Sequence, residues 1–190
     1  GVGSGIKRVF VDTTTNTDGT NQPGVIGLDA DCTSRATSAG LGGTWVAIAS
    51  GFDEVNWAVN RIGYNWNVLQ RVDGTEVTVA GNLWSTGSST TTLEASISKK
   101  ANGTTYSTTA VKTNTTQFGK SLAVTSAADE ACRDWSYGGN TFISVPYPYI
   151  VNGSSGAVGT TWINNSTYAL PAGNGQPCYG AAIDIYCIEQ

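Results

Sequence analysis

Four cysteines constrain this chain more than any other feature of its sequence. They are Cys32, Cys132, Cys178 and Cys187, and the last two bracket a short apolar segment close to the C-terminus. An even number of widely spaced cysteines in a weakly charged chain is typical of disulfides formed in an oxidising compartment. A zinc site is the alternative, but it prefers closely spaced cysteines and histidine, which this chain lacks. The spacing alone does not select the connectivity.

The composition indicates one β-rich domain. Its 190 residues are enough for a sizeable core, and 24 glycines with 13% charged residues favour strands and long polar loops. The net charge of -4 argues against nucleic acids and anionic membranes, which need clustered Lys and Arg. No apolar run approaches the roughly 20 residues that cross a bilayer. We expect a single α+β domain over residues 6–190, with residues 1–5 as a linker or stalk exit.

Alternating apolar residues predict the strands. Residues 6–12 and 43–50 alternate, and the short apolar segment at residues 183–188 is expected to be a central strand of its sheet. In the second strand, Val46 and Ile48 should face one way and Trp45 and Ala47 the other. Asp73-Gly74 predicts a hairpin with a type I′ turn. Weaker patterns predict strands at residues 93–98 and 121–126.

Helical spacing predicts two short helices. In residues 28–39 the small and apolar positions, including Cys32, share one face. Asp29 and Asp31 would lie in the first turn, and Gly40 would terminate this helix in the left-handed conformation. The second helix is predicted by apolar residues at three- and four-residue intervals, namely Phe52, Val55, Val59 and Ile62.

Several of these segments, taken in order, resemble endostatin and its bacterial relatives, an extracellular family. The block DADCTSRATSAGLGGTWVAIAS (residues 29–50) is similar to the helix-then-strand segment of that family. The hairpin VDGTEVTVAGNLW (residues 72–84) is similar to its next block. Cys132 with Trp135 resembles a C-x-x-W motif, and CYGAAIDIYCIEQ (residues 178–190) resembles the family's C-terminal ending. The matches extend over nearly the whole chain.

The resemblance implies a C-type-lectin-like fold of the α+β class. Such a fold has two short helices, antiparallel sheets, long loops and two nested disulfides, here Cys32–Cys187 and Cys132–Cys178. The last strand would then be bridged to the first helix and to the late loop region. In proteins of this fold the loops bind the ligand. Endostatin's zinc-binding histidines and arginine-rich heparin face have no counterpart in this sequence.

The sequence offers little catalytic or metal-binding chemistry. Without histidine, neither a Ser-His-Asp triad nor a histidine metal site is possible. The neighbouring carboxylates, such as Asp53-Glu54 and Asp129-Glu130, are typical of helix starts and solvated turns. Residues 12–21 fail the spacing of an EF-hand loop, and no lectin-type calcium motif is complete. We expect no catalytic residue, no metal and no cofactor.

Aromatic residues in the segment between Cys132 and Cys178 are the candidate ligand-binding groups. Rings held on a proline-stiffened loop can stack on sugars or enter a partner's pocket, and amides can hydrogen-bond the same ligand. The alternative is that these rings cover the core. The predicted set is Tyr147, Tyr149, Trp162, Asn164 and Asn165. Asparagines also begin N-x-S/T triplets, which a Thr-rich chain produces by chance, at Asn102, Asn114, Asn152, Asn164 and Asn165.

These observations predict a secreted or surface-displayed recognition domain that is not an enzyme. Its partner would be a cell-surface glycan or a host or prey protein, without nucleic acid and without membrane insertion. The alternative is a structural subunit or tip domain of an extracellular fibre or oligomer, with a homotrimer as one form. A hydrolase using Asp or Glu without histidine is a third reading.

Overall fold

The computed structural model describes residues 5–13, 24–62, 66–79, 83–86, 93–107, 110–121, 135, 149–150, 152–164, 176–177 and 183–190. The first half of the chain forms β1 (Ile6–Thr13), α1 (Gly24–Ser38), β2 (Trp45–Ala47), a 3-10 turn (Glu54–Asn56), α2 (Ala58–Arg61), β3 (Val68–Arg71) and β4 (Glu76–Val79). The second half forms β5 (Ala110–Lys112), β6 (Tyr149–Ile150), β7 (Asn152–Ser154), a 3-10 turn (Thr160–Trp162), β8 (Gln176–Pro177) and β9 (Asp184–Glu189). The fold is α+β, as the sequence predicts.

The main sheet is mixed rather than antiparallel. Its order is β2-β9-β1-β3-β4, so β9 lies in the interior of the sheet, as predicted. β1 pairs with β3 in parallel, while the other neighbours are antiparallel. A parallel pair needs a long crossover, which the chain through α1, β2 and α2 supplies. The expectation of antiparallel sheets is therefore wrong for this pair. Two small antiparallel sheets, β5-β7 and β6-β8, accompany the main one.

Helix α1 packs across one face of the sheet. Its buried stripe includes Leu28 and Cys32, and Gly40 ends the helix at φ 74° with the Leu41 amide donating to the Ala36 carbonyl at 2.8 Å. The predicted terminator is confirmed. The helix begins at Gly24, so the prediction that Asp29 lies in the first turn is wrong, and the same holds for the neighbouring acid at position 31.

The disulfide between Cys32 and Cys187 is present, with the two Cα atoms 5.5 Å apart. It joins α1 to β9 and closes a loop with a sequence separation of 155. Both cysteines are fully buried in the cluster between α1 and the sheet. The second predicted disulfide, between Cys132 and Cys178, lies outside the described residues.

The two faces of the sheet carry two hydrophobic clusters. Trp45 and Ala47 pack toward α1, whereas Ile48 packs in the opposite cluster with Val46 against its edge, as the alternation predicts. Among the residues that the structure describes, the opposite cluster is the larger and contains Trp162. Residues 1–4 of the predicted linker lie outside the described residues. The carbonyl of Gly5, the last residue of that linker, accepts a hydrogen bond from the backbone amide of Val68 in β3.

Two local predictions are wrong, and a third lies mostly outside the described residues. The β3-β4 connection is a three-residue loop, because the Arg71 amide donates to the Thr75 carbonyl at 2.8 Å and only Gly74, not Asp73, is left-handed. A type I′ turn would need both central residues left-handed. Residues 93–98 form irregular chain with a bend at residues 94–95, not a strand, and the side chains of Leu93 and Ile97 are buried. Ser121 makes one isolated bridge with Thr115, and residues 122–126 lie outside the described part.

Candidate functional site

Of the five predicted ligand residues, the structure describes the side chains of Trp162 and Asn164. Trp162 is only 1% exposed, and its ring stacks on Trp84 and tilts against Tyr186 at centroid distances of 6.2 and 5.7 Å. It is a core residue, so its assignment as a ligand-stacking ring is wrong. Asn164 is half-buried at the end of the same turn. Tyr149 contributes backbone to β6, but its side chain, like Tyr147 and Asn165, lies outside the described residues.

Trp162 and the next residue are instead held in the core by hydrogen bonds to their backbone carbonyls. The Tyr186 hydroxyl donates to the Trp162 carbonyl at 3.0 Å, and the Thr113 hydroxyl donates to the Ile163 carbonyl at 2.7 Å. Gly153 of β7 packs so closely that an added Cβ would overlap the Trp162 carbonyl. The chain that leads to Asn164 and the residues beyond it therefore starts from a rigid base.

A buried polar cluster contacts the backbone of Ile163. We name it the Ser50 cluster and define it as Ser50, Thr113, Asn114, Thr115 and Trp135. The Ser50 carbonyl accepts two hydrogen bonds of 2.9 Å, from the Asn114 amide and from the Trp135 indole. Among the described non-glycine residues, these two donors alone have a positive φ, of 47° and 64°. Such backbone conformations are costly, above all for a bulky ring, and persist only where the surroundings hold them.

The side chain of Ser50 connects the cluster to two neighbouring segments. Its hydroxyl oxygen accepts hydrogen bonds of 2.9 Å from the Ala58 amide and from the Thr115 hydroxyl. The Ser50 backbone amide donates to the Thr113 carbonyl. The cluster thus fixes the chain that leaves β2, the start of α2 and the loop at residues 115–121. Trp135 is the one described residue of the region after Cys132 up to residue 148, and its indole joins this cluster.

An exposed apolar surface adjoins the Ser50 cluster. We name it the Phe52 surface and define it as Phe52, Val55, Trp57, Phe118 and Lys120. Phe52, Val55 and Phe118 are 36, 74 and 39% exposed. The Trp57 indole donates to the Phe52 carbonyl at 3.3 Å, and the Lys120 ammonium lies 5.4 Å from the Trp57 ring centroid, within cation-π range.

This surface is absent from the sequence prediction, which places Phe52 and Val55 on the buried stripe of a helix. The segment forms a 3-10 turn and a four-residue helix instead, with Trp57 extended between them at φ -68° and ψ 142°. That break rotates Phe52 and Val55 into solvent, while Ile62 stays in the core. Asp53 and Glu54 between the apolar residues are the sequence signal for an exposed turn.

Lys112 on β5 and Asp184 on β9 are two ionisable groups that interact beside the main sheet. Burial lowers the pKa of Lys112 on β5 to about 8, and the nearby carboxylate of Asp184 opposes this shift. The Thr13 hydroxyl donates to Asp184 at 2.6 Å. Within the described ranges no three His, Cys, Asp or Glu side chains are grouped as metal ligands would be. Among the described helices, none is long and apolar enough to cross a membrane.

The arrangement suits binding by contact. A buried polar cluster holds several chain segments together by hydrogen bonds, and an exposed aromatic surface lies beside them. A ligand would therefore meet preorganised groups. Neither a protein-family model nor a curated protein matches the sequence.

Proposed function

We propose that this chain is a secreted or surface-displayed recognition domain, not an enzyme, with the C-type-lectin-like fold of the endostatin-like extracellular domains. The observed bridge between Cys32 and Cys187, which ties the first helix to the last strand, supports this proposal. The bridge between Cys132 and Cys178 belongs to it as the second of the nested pair. The domain binds a cell-surface glycan or protein through the loops between Cys132 and Cys178.

The Ser50 cluster is the observation that carries the proposal. Two residues in costly left-handed conformations donate to a single carbonyl, and backbone strain of this kind concentrates at sites that need preorganisation. Trp135, which belongs to the cluster, and Ile163, whose carbonyl accepts a hydrogen bond from Thr113, both lie in the segment between Cys132 and Cys178. The cluster therefore holds that segment at two points and limits the entropy lost when its loops bind.

The proposed chemistry of the ligand follows from the predicted contact residues. Tyr147 and Tyr149 provide rings that can stack on the apolar face of a sugar, and the amides of Asn164 and Asn165 can bond hydroxyl groups. The Phe52 surface adds exposed aromatic rings next to the carboxylates of residues 53 and 54. Aromatic faces combined with hydrogen-bonding side chains match a neutral glycan best, and a protein partner second.

A glycan array followed by cell attachment tests the proposal. The double variant Tyr147→Ala with Tyr149→Ala should weaken binding to the best array ligand by roughly tenfold or more, a loss of about 1.4 kcal/mol. Ile26→Ala is the matched control, because Ile26 is 74% exposed on the outer side of α1 and should leave binding unchanged. An array without any binder, together with unchanged cell attachment of the double variant, would contradict the proposal.

The structural alternative has its own observation. Ile6, Ile26 and Val55 are 54, 74 and 74% exposed, and large apolar side chains of this kind are buried when copies assemble. Light scattering over a range of concentrations separates the two functions. A stable trimer or polymer favours the subunit of a fibre, and a monomer favours the recognition domain.

A further inference from the structure

A small hairpin at residues 99–105 presents an asparagine at its tip. Lys99 and Thr105 form a bridge at its base, and the Lys100 amide donates to the Thr104 carbonyl at 2.9 Å. Gly103 closes the turn in the left-handed conformation, with its amide donating to the Lys100 carbonyl. Asn102 is exposed at this tip and begins the triplet Asn102-Gly103-Thr104.

The side chain of Asn102 is held in one orientation by the third residue of its triplet. Its Oδ1 accepts hydrogen bonds from the Thr104 amide at 3.1 Å and from the Thr104 hydroxyl at 2.7 Å. Within the described part of the chain, its Nδ2 has no protein partner. The nitrogen of the carboxamide is thus directed away from these contacts and is accessible, while the carbonyl oxygen is polarised by two donors.

The other triplets differ in ways that matter for modification. Asn114 is only 3% exposed, and its Nδ2 donates to the Ser50 carbonyl and to the Ser121 hydroxyl. An oligosaccharide on Asn114 is incompatible with the Ser50 cluster. Asn164 is half-buried directly after the buried Ile163. The side chains of Asn152 and Asn165 lie outside the described residues.

We propose that Asn102 is the acceptor for an N-linked oligosaccharide when the chain is exported. The inference rests on the extracellular location in the proposed function. In the transfer, Nδ2 attacks the anomeric carbon of an oligosaccharide carried on a polyprenyl diphosphate. A C–N bond forms, the C–O bond to the diphosphate breaks, the polyprenyl diphosphate leaves, and Nδ2 gives its proton to a base of the transferase. The glycan then covers the polar tip of the hairpin.

The locality of the hairpin favours this reaction. Its turn contacts, including the Lys99 ammonium to the Thr105 hydroxyl at 3.0 Å, join residues no more than six positions apart. Such contacts form before distant parts of the chain pack, because short loops close at little entropic cost. The triplet can therefore take its oriented form in a nascent chain and keep the glycan exposed in the folded domain.

Intact-mass analysis of the 190-residue chain, secreted from a eukaryotic cell line behind a cleavable signal, tests the inference. We expect an N-glycan on Asn102, mapped by peptide N-glycosidase conversion of Asn102 to Asp. Asn102→Gln and Thr104→Ala should both lack it, and Thr104→Ser, which keeps the triplet, should retain it. All three changes lie on the exposed tip and leave the core untouched.

An unmodified Asn102 in folded, secreted protein would overturn the inference, and so would a glycan on Asn114. The recognition function is read separately, by array binding of unglycosylated Asn102→Gln protein. Failure of the glycan assay with intact array binding removes only the modification site. Failure of array binding with a glycosylated Asn102 removes only the recognition function.

Discussion

Removal of the bridge between Cys32 and Cys187 tests how this fold is held together. Both cysteines are fully buried, so replacement of each by alanine removes little volume but frees the last strand from the first helix. The bridge closes a loop with a sequence separation of 155, for which the chain-entropy model gives about 5 kcal/mol at 25 °C. Native bridges usually deliver somewhat less, so we expect a loss of about 3–5 kcal/mol.

Urea unfolding under non-reducing conditions measures this loss. With a slope of about 2 kcal/mol per molar urea, a loss of about 4 kcal/mol lowers the midpoint by about 2 M. Val25→Ala is the control, because Val25 packs in the same cluster and its truncation changes packing without opening the loop. A midpoint shift below about 0.5 M, or one no larger than that of the control, would refute the reasoning.

Three further predictions concern glycine packing, backbone strain and pH, each read by urea unfolding. Gly153→Ala should prevent folding or cost several kcal/mol, because its Cβ would overlap the Trp162 carbonyl. The control Gly156→Ala meets open space and should change stability by less than about 0.5 kcal/mol. Similar losses of stability in the two variants would contradict this prediction. Asn114→Ala should cost about 0.5–1 kcal/mol more than Asn114→Gly, because both lose the amide but only alanine is strained at φ 47°, and equal losses would argue against strain. The pKa of Lys112, lowered by burial to about 8, means that between about pH 8 and 10 the unfolded chain keeps a proton that the folded chain has lost, so stability should rise there. Lys112→Met should abolish this rise, and a profile that is the same in both proteins would exclude Lys112 as its source.

Local pattern predicts the elements whose burial alternates along the chain. The faces of Trp45 and Ile48 follow from simple alternation, and Gly40 ends α1 because a residue without Cβ tolerates the left-handed conformation. The interior position of β9 follows from its continuous apolar run. The parallel pairing of β1 with β3 could not be predicted, since it depends on a crossover rather than on either strand.

The candidate site was predictable only in part. The apolar spacing of Phe52 and Val55 is helical, yet the extended Trp57 interrupts the helix and turns both side chains outward. The Ser50 cluster leaves no local signal, because its hydrogen bonds to Asn114 and Trp135 join residues 64 and 85 positions apart. Contacts of that range depend on the whole fold.

Hydrogen exchange with and without the best array ligand tests the central claim most directly, namely that recognition takes place at the segments held by the Ser50 cluster. Bound ligand should slow exchange in residues 133–177, with protection extending to residues 51–57 and 115–121. Protection confined to the hairpin at residues 99–105, or to the outer side of α1, would contradict it.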